Sequence, residues 1–219
     1  MRVAIFDFDG TLYGEETFQL LMNHLKHHPV HHPKFKKFYR AILRPYLGHK
    51  MKLVPEAKMK EQSMQIYLDS LGQQSKIELD QYLEELTEKV QQGFNPDVLS
   101  RLQQHIADDL HVMLVSGAYT PLLQSVTKGL QFDTIIGTEV PLNGQDVDYQ
   151  APIYHVHGPR KNEKIEQALA GKDIDWQNSF AYGDSFSDIP VLELVGHPVA
   201  VRPEPRLQAI AEQRQWEII

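Results

Sequence analysis

Short apolar runs alternate along most of this chain with segments whose apolar residues have helical spacing. The runs occupy residues 2–8, 111–116, 134–140, 180–183 and 198–201 and are rich in β-branched and aromatic residues. Between the later runs, apolar residues recur every three or four positions, as at Val98, Leu102 and Ile106. Strands that alternate with helices are typical of βαβ units. We therefore predict an α/β fold built on a doubly wound parallel sheet.

One long segment interrupts this alternation. Residues 15–93 contain no convincing strand, and their apolar residues are spaced as in helices, for example at Phe18, Leu21 and Leu25. About 80 residues is too long for a single crossover between parallel strands. We therefore predict an α-helical cap at residues 15–94, inserted into a core formed by residues 1–14 and 95–219.

Composition narrows the class of protein. The chain has 219 residues, of which 42% are hydrophobic, so it can bury a core. It has no cysteine, which excludes disulfides, thiolate nucleophiles and cysteine-bound metals. No apolar run is long enough for a membrane span or a signal peptide, so we expect a cytoplasmic protein that makes no membrane contact.

The net charge of −7 is unevenly distributed. Residues 26–60 contain ten Lys and Arg and one acidic residue, Glu56. This basic block could attract an anionic substrate, but it is also what the solvated face of cap helices would carry. The histidine-rich residues 27–32 lack the i, i+4 spacing of helical metal ligands, and we interpret them as a cap loop. Nucleic acid is an unlikely partner because no recognisable nucleic-acid module is present.

Polar and acidic residues lie at the carboxyl ends of three of the predicted strands. Asp7 and Asp9 lie at the end of the first strand, Ser116 and Gly117 at the end of the second, and a Gly-Asp-Ser-Phe-Ser-Asp sequence at the end of the fourth. Ligands of open α/β sheets bind beyond the carboxyl ends of the strands. Taken singly, each group could be a turn or a helix cap. Together they would concentrate carboxylates at one edge, where Mg²⁺ is the natural counterion.

These residues resemble the motifs of the haloacid dehalogenase superfamily, and in particular its phosphoserine-phosphatase-like branch. The sequence Asp7-Phe-Asp9-Gly10-Thr11 resembles the first motif, and Ser116-Gly117 resembles the end of the second. Gly158-Pro-Arg-Lys161 is similar to the third motif, and the sequence from Gly183 to Asp188 is similar to the fourth. All four occur in the family's order, and a helical cap between the first two motifs is that branch's arrangement.

The resemblance implies a Mg²⁺-dependent phosphomonoester hydrolase that acts on a small phosphorylated metabolite. Asp7 would be the nucleophile that forms an aspartyl-phosphate, and Asp9 the general acid and base. The metal would be held by Asp7, by the backbone carbonyl of Asp9 and by Asp184, with Asp188 behind them to orient the set. Ser116, Gly117 and Lys161 would bind the phosphoryl oxygens.

Two assignments have competing interpretations. Lys161 keeps the Gly-x-x-Lys spacing of the third motif, but Lys164 lies one helical turn away and is the alternative. Glu16 stands nine positions after Asp7, where phosphoserine phosphatases bind the substrate's amino group. An acidic residue at a helix start is equally well explained by the helix dipole. Ser187 and Gly10 depart from the usual asparagine and serine of that branch, which leaves the substrate open.

Three other functions remain open from the sequence. The same scaffold could transfer the phosphoryl group to another metabolite's hydroxyl. A receiver-like signalling module also uses strand-end Asp, Ser or Thr and Lys with Mg²⁺, although the long helical insertion disfavours it. A nucleic-acid binder with a basic cap ranks last. Oligomeric state is not predicted.

Overall fold

A computed structural model describes residues 1–219 of the chain. Six parallel strands form one sheet: β1 (Val3–Phe6), β2 (His111–Tyr119), β3 (Thr134–Thr138), β6 (Phe180–Gly183), β7 (His197–Ala200) and β8 (Glu217–Ile218). Their order across the sheet is β3-β2-β1-β6-β7-β8. The chain proceeds outward from β1 in one direction and then in the other, which is the doubly wound arrangement. The predicted fold class is confirmed.

Five helices fill the chain between β1 and the next core helix: α1 (Thr17–His27), α2 (His32–Lys50), α3 (Glu56–Leu71), α4 (Lys76–Glu84) and α5 (Thr87–Gln92). The remaining helices belong to the sheet's crossovers and its C-terminal part: α6 (Pro96–Ala107), α7 (Thr120–Val126), α8 (Pro159–Ala168), α9 (Ile189–Leu192) and α10 (Pro205–Arg214). The structure contains no helix whose length and apolar character would let it span a membrane.

The apolar residues form two buried clusters, one on each face of the sheet. One cluster combines Val3, Ile5 and Met113 of the strands with residues of α8, α9 and α10. The other combines Phe6 and Leu114 with α6, α7 and the inserted helices. The inserted helices thus share a continuous apolar core with the sheet, and this core fixes them relative to it.

Direct hydrogen bonds also join the inserted helices to the sheet. The hydroxyl of Tyr119, the last residue of β2, donates to the carbonyl of Met64 in α3 at 2.7 Å. A hairpin of β4 (Leu142–Asn143) and β5 (Asp146–Val147) reaches the segment before α4, where the Lys76 N–H donates to the Gln145 carbonyl at 2.7 Å.

Several predicted strand bounds are wrong. β1 ends at Phe6, so Asp7 and Asp9 lie in the following loop and not on the strand. β2 runs on to Tyr119, with a register shift against β3 between Val115 and Tyr119. Ser116 and Gly117 therefore lie at an irregularity inside β2, which re-aims the backbone as bulges do. β8 and the β4–β5 hairpin were not predicted.

Candidate active site

A buried lysine joins two of the carboxylates at the carboxyl edge of the sheet. Lys161, in the first turn of α8, is 4% exposed. Its Nζ lies 2.7 Å from Oδ1 of Asp7 and 2.7 Å from Oδ1 of Asp188. Asp188 also accepts hydrogen bonds from the N–H and hydroxyl of Ser185 at 3.1 and 2.8 Å. The lysine and the Ser185 turn thus fix Asp188, and the lysine orients Asp7.

Asp9 is held differently, by the start of the first inserted helix. Its Oδ1 accepts the backbone N–H of Thr17 at 3.0 Å, and its Oδ2 accepts the Thr17 hydroxyl at 2.8 Å. A carboxylate that receives the N–H of a first-turn residue stabilises the helix N-terminus, as a capping residue does. Asp9 therefore couples the orientation of α1 to the loop that carries Asp7.

Gly10 allows the loop after β1 to turn beside Asp184. It has a φ of +72°, and a Cβ at this position would lie 2.2 Å from Oδ2 of Asp184. The neighbouring Thr11 hydroxyl lies 3.4 Å from Oδ1 of Asp184. Because any side chain at residue 10 would collide with Asp184 in this arrangement, glycine is required for the close approach of the two motifs.

The irregular part of β2 forms another side of the site. The Ser116 side chain is buried, and its Oγ accepts the Ala118 N–H at 3.1 Å. Gly117 packs against His155 so closely that a Cβ there would lie 2.7 Å from Nε2 of that ring. Ser116 and Gly117 line the same cavity as Asp7 and Lys161, as the sequence predicts for a phosphate-binding set.

Burial and mutual repulsion disfavour the ionised forms of three carboxyls. Burial and the charge of Asp188 raise the pKa of Asp7 to about 7, although Lys161 opposes the shift. Burial, with repulsion from Glu16 and Asp7, raises the pKa of Asp9 to about 8. Burial and repulsion from Asp7 raise the pKa of Asp184 to about 8. A single ammonium group leaves this cluster with an excess of negative charge.

Lys161 is the cationic partner in this cluster. Burial would lower the pKa of Lys161, but Asp188 and Asp7 hold it well above its usual value. Burial would likewise raise the pKa of Asp188, yet Lys161 and Ser185 keep it below the usual range. This ion pair therefore stays charged, whereas ionisation of Asp7 and Asp184 is disfavoured because no further cationic side chain of the cluster balances their negative charge.

The donor set suits a hard divalent cation. Ligand oxygens of Asp7, Asp184 and Asp188 lie within 4.8 Å of one another. Carboxylate oxygens are preferred by Mg²⁺, which is usually held by one or two carboxylates together with substrate phosphate. Both oxygens of Asp188 already accept hydrogen bonds, Oδ1 from Lys161 and Oδ2 from Ser185. Asp7 and Asp184 are therefore the carboxylates with more capacity to bind the ion.

The structure separates the two candidate lysines. Lys164 lies over the ring of Tyr154, with 5.5 Å from its Nζ to the ring centroid. It does not line the cavity that contains Asp7, whereas Lys161 does. Glu16 is exposed and lines the same cavity.

Apart from Lys60, the basic block lies outside the cavity. None of the seven basic side chains from the start of α2 to the turn after it contributes to the cavity wall; they are Lys34, Lys36, Lys37, Arg40, Arg44, Lys50 and Lys52. A phosphoryl group at Asp7 thus has Lys161 as its neighbouring cation, and these seven side chains could act on a ligand only through their longer-range field.

The histidine-rich segment is organised by hydrogen bonds. Nδ1 of His28 accepts the N–H groups of Val30 and His31 at 3.1 and 3.0 Å, and Nε2 lies 3.0 Å from the Glu85 carboxylate. Since Nδ1 is an acceptor, the ring proton is on Nε2 and points to Glu85. A metal ion on Nε2 of His28 would have to displace this proton, so His28 is unsuited as a metal ligand. Nε2 of His24 lies 3.3 Å from the same Glu85 carboxylate.

Sequence reasoning missed three residues of the site. Thr17 holds Asp9, while His155 and His157 line the cavity with their rings stacked at a centroid distance of 5.4 Å. Burial lowers the pKa of His155 to about 3 and that of His157 to about 4, so both rings are neutral. The only sequence signal for the two histidines was their position just before Gly158, the residue that precedes α8.

The fold and the carboxylate site together define a hydrolase of the Rossmann-like α/β type. The family model of haloacid dehalogenase-like hydrolases matches residues 4–193, and the chain belongs to this family. The predicted family resemblance is thereby confirmed.

Several curated proteins are similar to parts of the chain. The "Inhibition of morphological differentiation protein" of Streptomyces azureus is 30% identical over 56% of this chain and 44% of its own length. Phosphoserine phosphatase SerB1 of Mycobacterium tuberculosis is 27% identical over 53% of this chain and 38% of its own length. The chain thus spans about two fifths of these relatives. A histidinol-phosphatase of Neisseria meningitidis is 24% identical over 100% of the chain and 98% of its own length.

Solved structures share the fold across the full chain. A Bordetella pertussis protein of unknown function superposes with a TM-score of 0.82 at 21% identity, covering 100% of this chain and 97% of its own. A substrate-bound phosphoserine phosphatase superposes with a TM-score of 0.66 at 15% identity, covering 100% of this chain and 92% of its own. These likenesses establish the fold.

Proposed function

We propose that the protein is a Mg²⁺-dependent phosphomonoester hydrolase that forms a phosphoryl-enzyme intermediate on Asp7. The observation that carries the proposal is the Lys161 ammonium, which lies 2.7 Å from both Asp7 and Asp188 beneath a cavity that Asp9 and Asp184 also line. This arrangement combines a carboxylate nucleophile, a second carboxyl for proton transfer and a fixed cation for the phosphoryl oxygens.

In the first step a carboxylate oxygen of Asp7 attacks phosphorus, and the ester P–O bond breaks. The proton of the Asp9 carboxyl passes to the departing alkoxide oxygen, which leaves as the alcohol. In the second step Asp9 takes a proton from water, the hydroxide attacks phosphorus, and the bond from Asp7 to phosphorus breaks. Inorganic phosphate is released, and Asp9 has regained its proton.

The other site residues have binding and orienting roles. Lys161, the Ser116 hydroxyl and the Gly117 N–H bind the phosphoryl oxygens, and Asp188 positions Lys161. Asp7, the Asp9 carbonyl and Asp184 would hold Mg²⁺. The ion would supply positive charge to offset the charge that develops on the phosphoryl oxygens. We also propose that residues 15–94 act as the substrate-selecting cap and that the substrate is a small phosphorylated metabolite.

The test is hydrolysis of p-nitrophenyl phosphate with Mg²⁺ and with EDTA. We expect Mg²⁺-dependent release of nitrophenol, and a loss in kcat on the order of 10³-fold or more in Asp7→Asn. Asp173→Asn, which changes an exposed carboxyl that does not line the cavity, is the matched control and should keep full activity. Full activity of Asp7→Asn would refute the mechanism, and transfer to an added alcohol would identify a phosphotransferase.

A further inference from the structure

The cavity above the carboxylates is larger than a phosphoryl group needs. Its volume is about 670 Å³, within the range that accommodates a drug-sized ligand. Asp7, Lys161 and Ser116 line one part of it, and α1, α2 and α3 provide much of the rest of its wall. Phe18 and Met22 of α1 belong to this wall. The part of a substrate beyond its phosphate would therefore lie against the inserted helices.

The contribution of α2 to this wall is a continuous apolar face. Tyr39, Ile42, Leu43 and Tyr46 all line the cavity. Their spacing of three, four and seven positions places them on one side of the helix. Tyr39, Leu43 and Tyr46 are 54%, 37% and 44% exposed, so apolar surface that no other part of the chain covers borders the cavity. A ligand that covered this surface would gain free energy in proportion to the apolar area removed from water.

Charged groups on the wall are few. The one cationic side chain that the inserted helices give to the cavity is Lys60, and its ammonium lies 3.0 Å from the Glu56 carboxylate. Glu16 is their one acidic side chain there. A zwitterionic amino-acid phosphate would find little here to bind its carboxylate, because burial of an unpaired charge against apolar side chains is costly.

We propose that the natural substrate is the phosphate monoester of an apolar alcohol, with an alkyl or aryl group that lies against Phe18, Met22 and the apolar face of α2. This inference rests on the proposed phosphatase function, since it places the phosphoryl group at Asp7 and Lys161. The methionine and aromatic side chains of the wall adapt to apolar groups of different shape.

The test compares ligands that differ only in apolar length. Methyl, butyl and hexyl phosphate are assayed for kcat/KM with Mg²⁺, with phosphoserine alongside. The corresponding alkyl phosphonates, which are not hydrolysed, are titrated calorimetrically to obtain Kd independently of turnover. We expect kcat/KM to rise and Kd to fall by about fourfold per methylene until the wall ends.

A pair of variants on one helix locates the effect. Leu43→Gln should weaken hexyl phosphonate binding about tenfold and leave methyl phosphonate within about twofold, since only the longer chain reaches Leu43. Leu47→Gln is the matched control, because Leu47 is 52% exposed on the same helix but does not line the cavity. Thermal unfolding of both variants verifies that they remain folded.

The outcomes separate the inference from the proposed function. Equal Kd values for all the phosphonates, or a phosphoserine kcat/KM above that of hexyl phosphate, would overturn the apolar substrate even in an active phosphatase. Equal effects of Leu43→Gln and Leu47→Gln would overturn the assigned wall. Length-dependent phosphonate binding without hydrolysis of any ester would support the ligand class and contradict the phosphatase function.

Discussion

At the scale of single residues, Lys161 determines whether the carboxylates can lie so close together. Its side chain is 5% exposed, and its partners Asp7 and Asp188 are 11% and 3% exposed. Removal of one partner from a buried ion pair leaves the remaining charge without compensation. The lysine therefore has a structural role in the folded site in addition to its proposed contact with phosphate.

We predict that Lys161→Met both inactivates and destabilises the protein. The free energy of unfolding should fall by about 3 kcal/mol at pH 8, because Asp7 and Asp188 then repel each other in a buried position. At pH 6 the loss should be smaller, since the pKa of Asp7, about 7 with Lys161 present, rises further without it and Asp7 takes up a proton more readily. Urea denaturation at the two pH values measures the effect.

Lys164→Met serves as the control for this prediction. Lys164 is in the same helix, but its ammonium contacts the Tyr154 ring instead of a carboxylate. Its removal should change stability by less than about 1 kcal/mol and leave activity near that of the unaltered protein. Similar losses of stability and activity in the two variants would show that the contact of Lys161 with Asp7 does not specifically stabilise the site.

The residues that the sequence could predict are those that directly follow strands. Asp7 and Asp184 come one position after β1 and β6, so the parallel sheet alone places them at one edge. The contact of Thr17 with Asp9 depends on the path of the ten-residue loop between β1 and α1, which has no periodic pattern. His155 and His157 likewise belong to an irregular segment, and only the folded chain brings them to the cavity.

At the scale of elements, the start of α1 is in direct contact with the candidate site. Thr17 is the first residue of α1 and donates both its N–H and its hydroxyl to Asp9. Since the hydrogen bonds from Thr17 lower the pKa of Asp9 against the larger effect of burial, the helix start adjusts the proton affinity of the proposed general acid.

Thr17→Val should therefore alter catalysis more than binding. We expect kcat to fall on the order of tenfold to a hundredfold with little change in KM. The alkaline limb of the pH profile of kcat should move to higher pH, because Asp9 must be protonated to act as the acid and the lost hydrogen bond no longer lowers its pKa. Thr17→Ser keeps the hydroxyl and should restore both properties. An unchanged profile in Thr17→Val would contradict the role of this contact.

Long elements were predictable from the sequence, whereas two-residue elements were not. The five predicted strands correspond to β1, β2, β3, β6 and β7, because each has enough β-branched and apolar residues to show a pattern. β4, β5 and β8 each contain two residues, too few for any period. β2 extends past Ser116 because its pairing with β3 resumes at Tyr119 after the register shift, although Ser116 and Gly117 interrupt its apolar pattern.

At the scale of the whole molecule, the buried core holds two kinds of titratable group with opposite effects on stability. Burial lowers the pKa of His105 and His157 to about 4 and of His155 to about 3. The unfolded chain therefore binds more protons than the folded chain between about pH 4 and 6.5. The histidines thus contribute stability above pH 6.5 that is lost as the pH falls.

The carboxyls act in the other direction. Asp7, with a pKa of about 7, and Asp9 and Asp184, with a pKa of about 8, retain protons that the unfolded chain releases near pH 4. Their contribution is fully present below about pH 4 and is lost as the pH rises through 7 to 8. The two effects oppose each other below pH 6.5, so the carboxyls alone determine the trend above it.

We therefore predict that the metal-free protein loses stability between pH 6.5 and 8.5, and that Mg²⁺ reduces this loss. In EDTA the free energy of unfolding should fall by on the order of 3 kcal/mol across this range. With saturating Mg²⁺ the fall should be clearly smaller, because Asp7 and Asp184, whose carboxylates would bind the cation, are then ionised at both pH values and only the Asp9 carboxyl still titrates. Urea denaturation in the two buffers measures the difference.

Asp184→Asn, which removes a carboxyl from the proposed metal site, should reduce both the pH slope of the free energy of unfolding and the stabilisation by Mg²⁺. Equal slopes with EDTA and Mg²⁺ would show that the excess negative charge of the cluster is not what binds the metal.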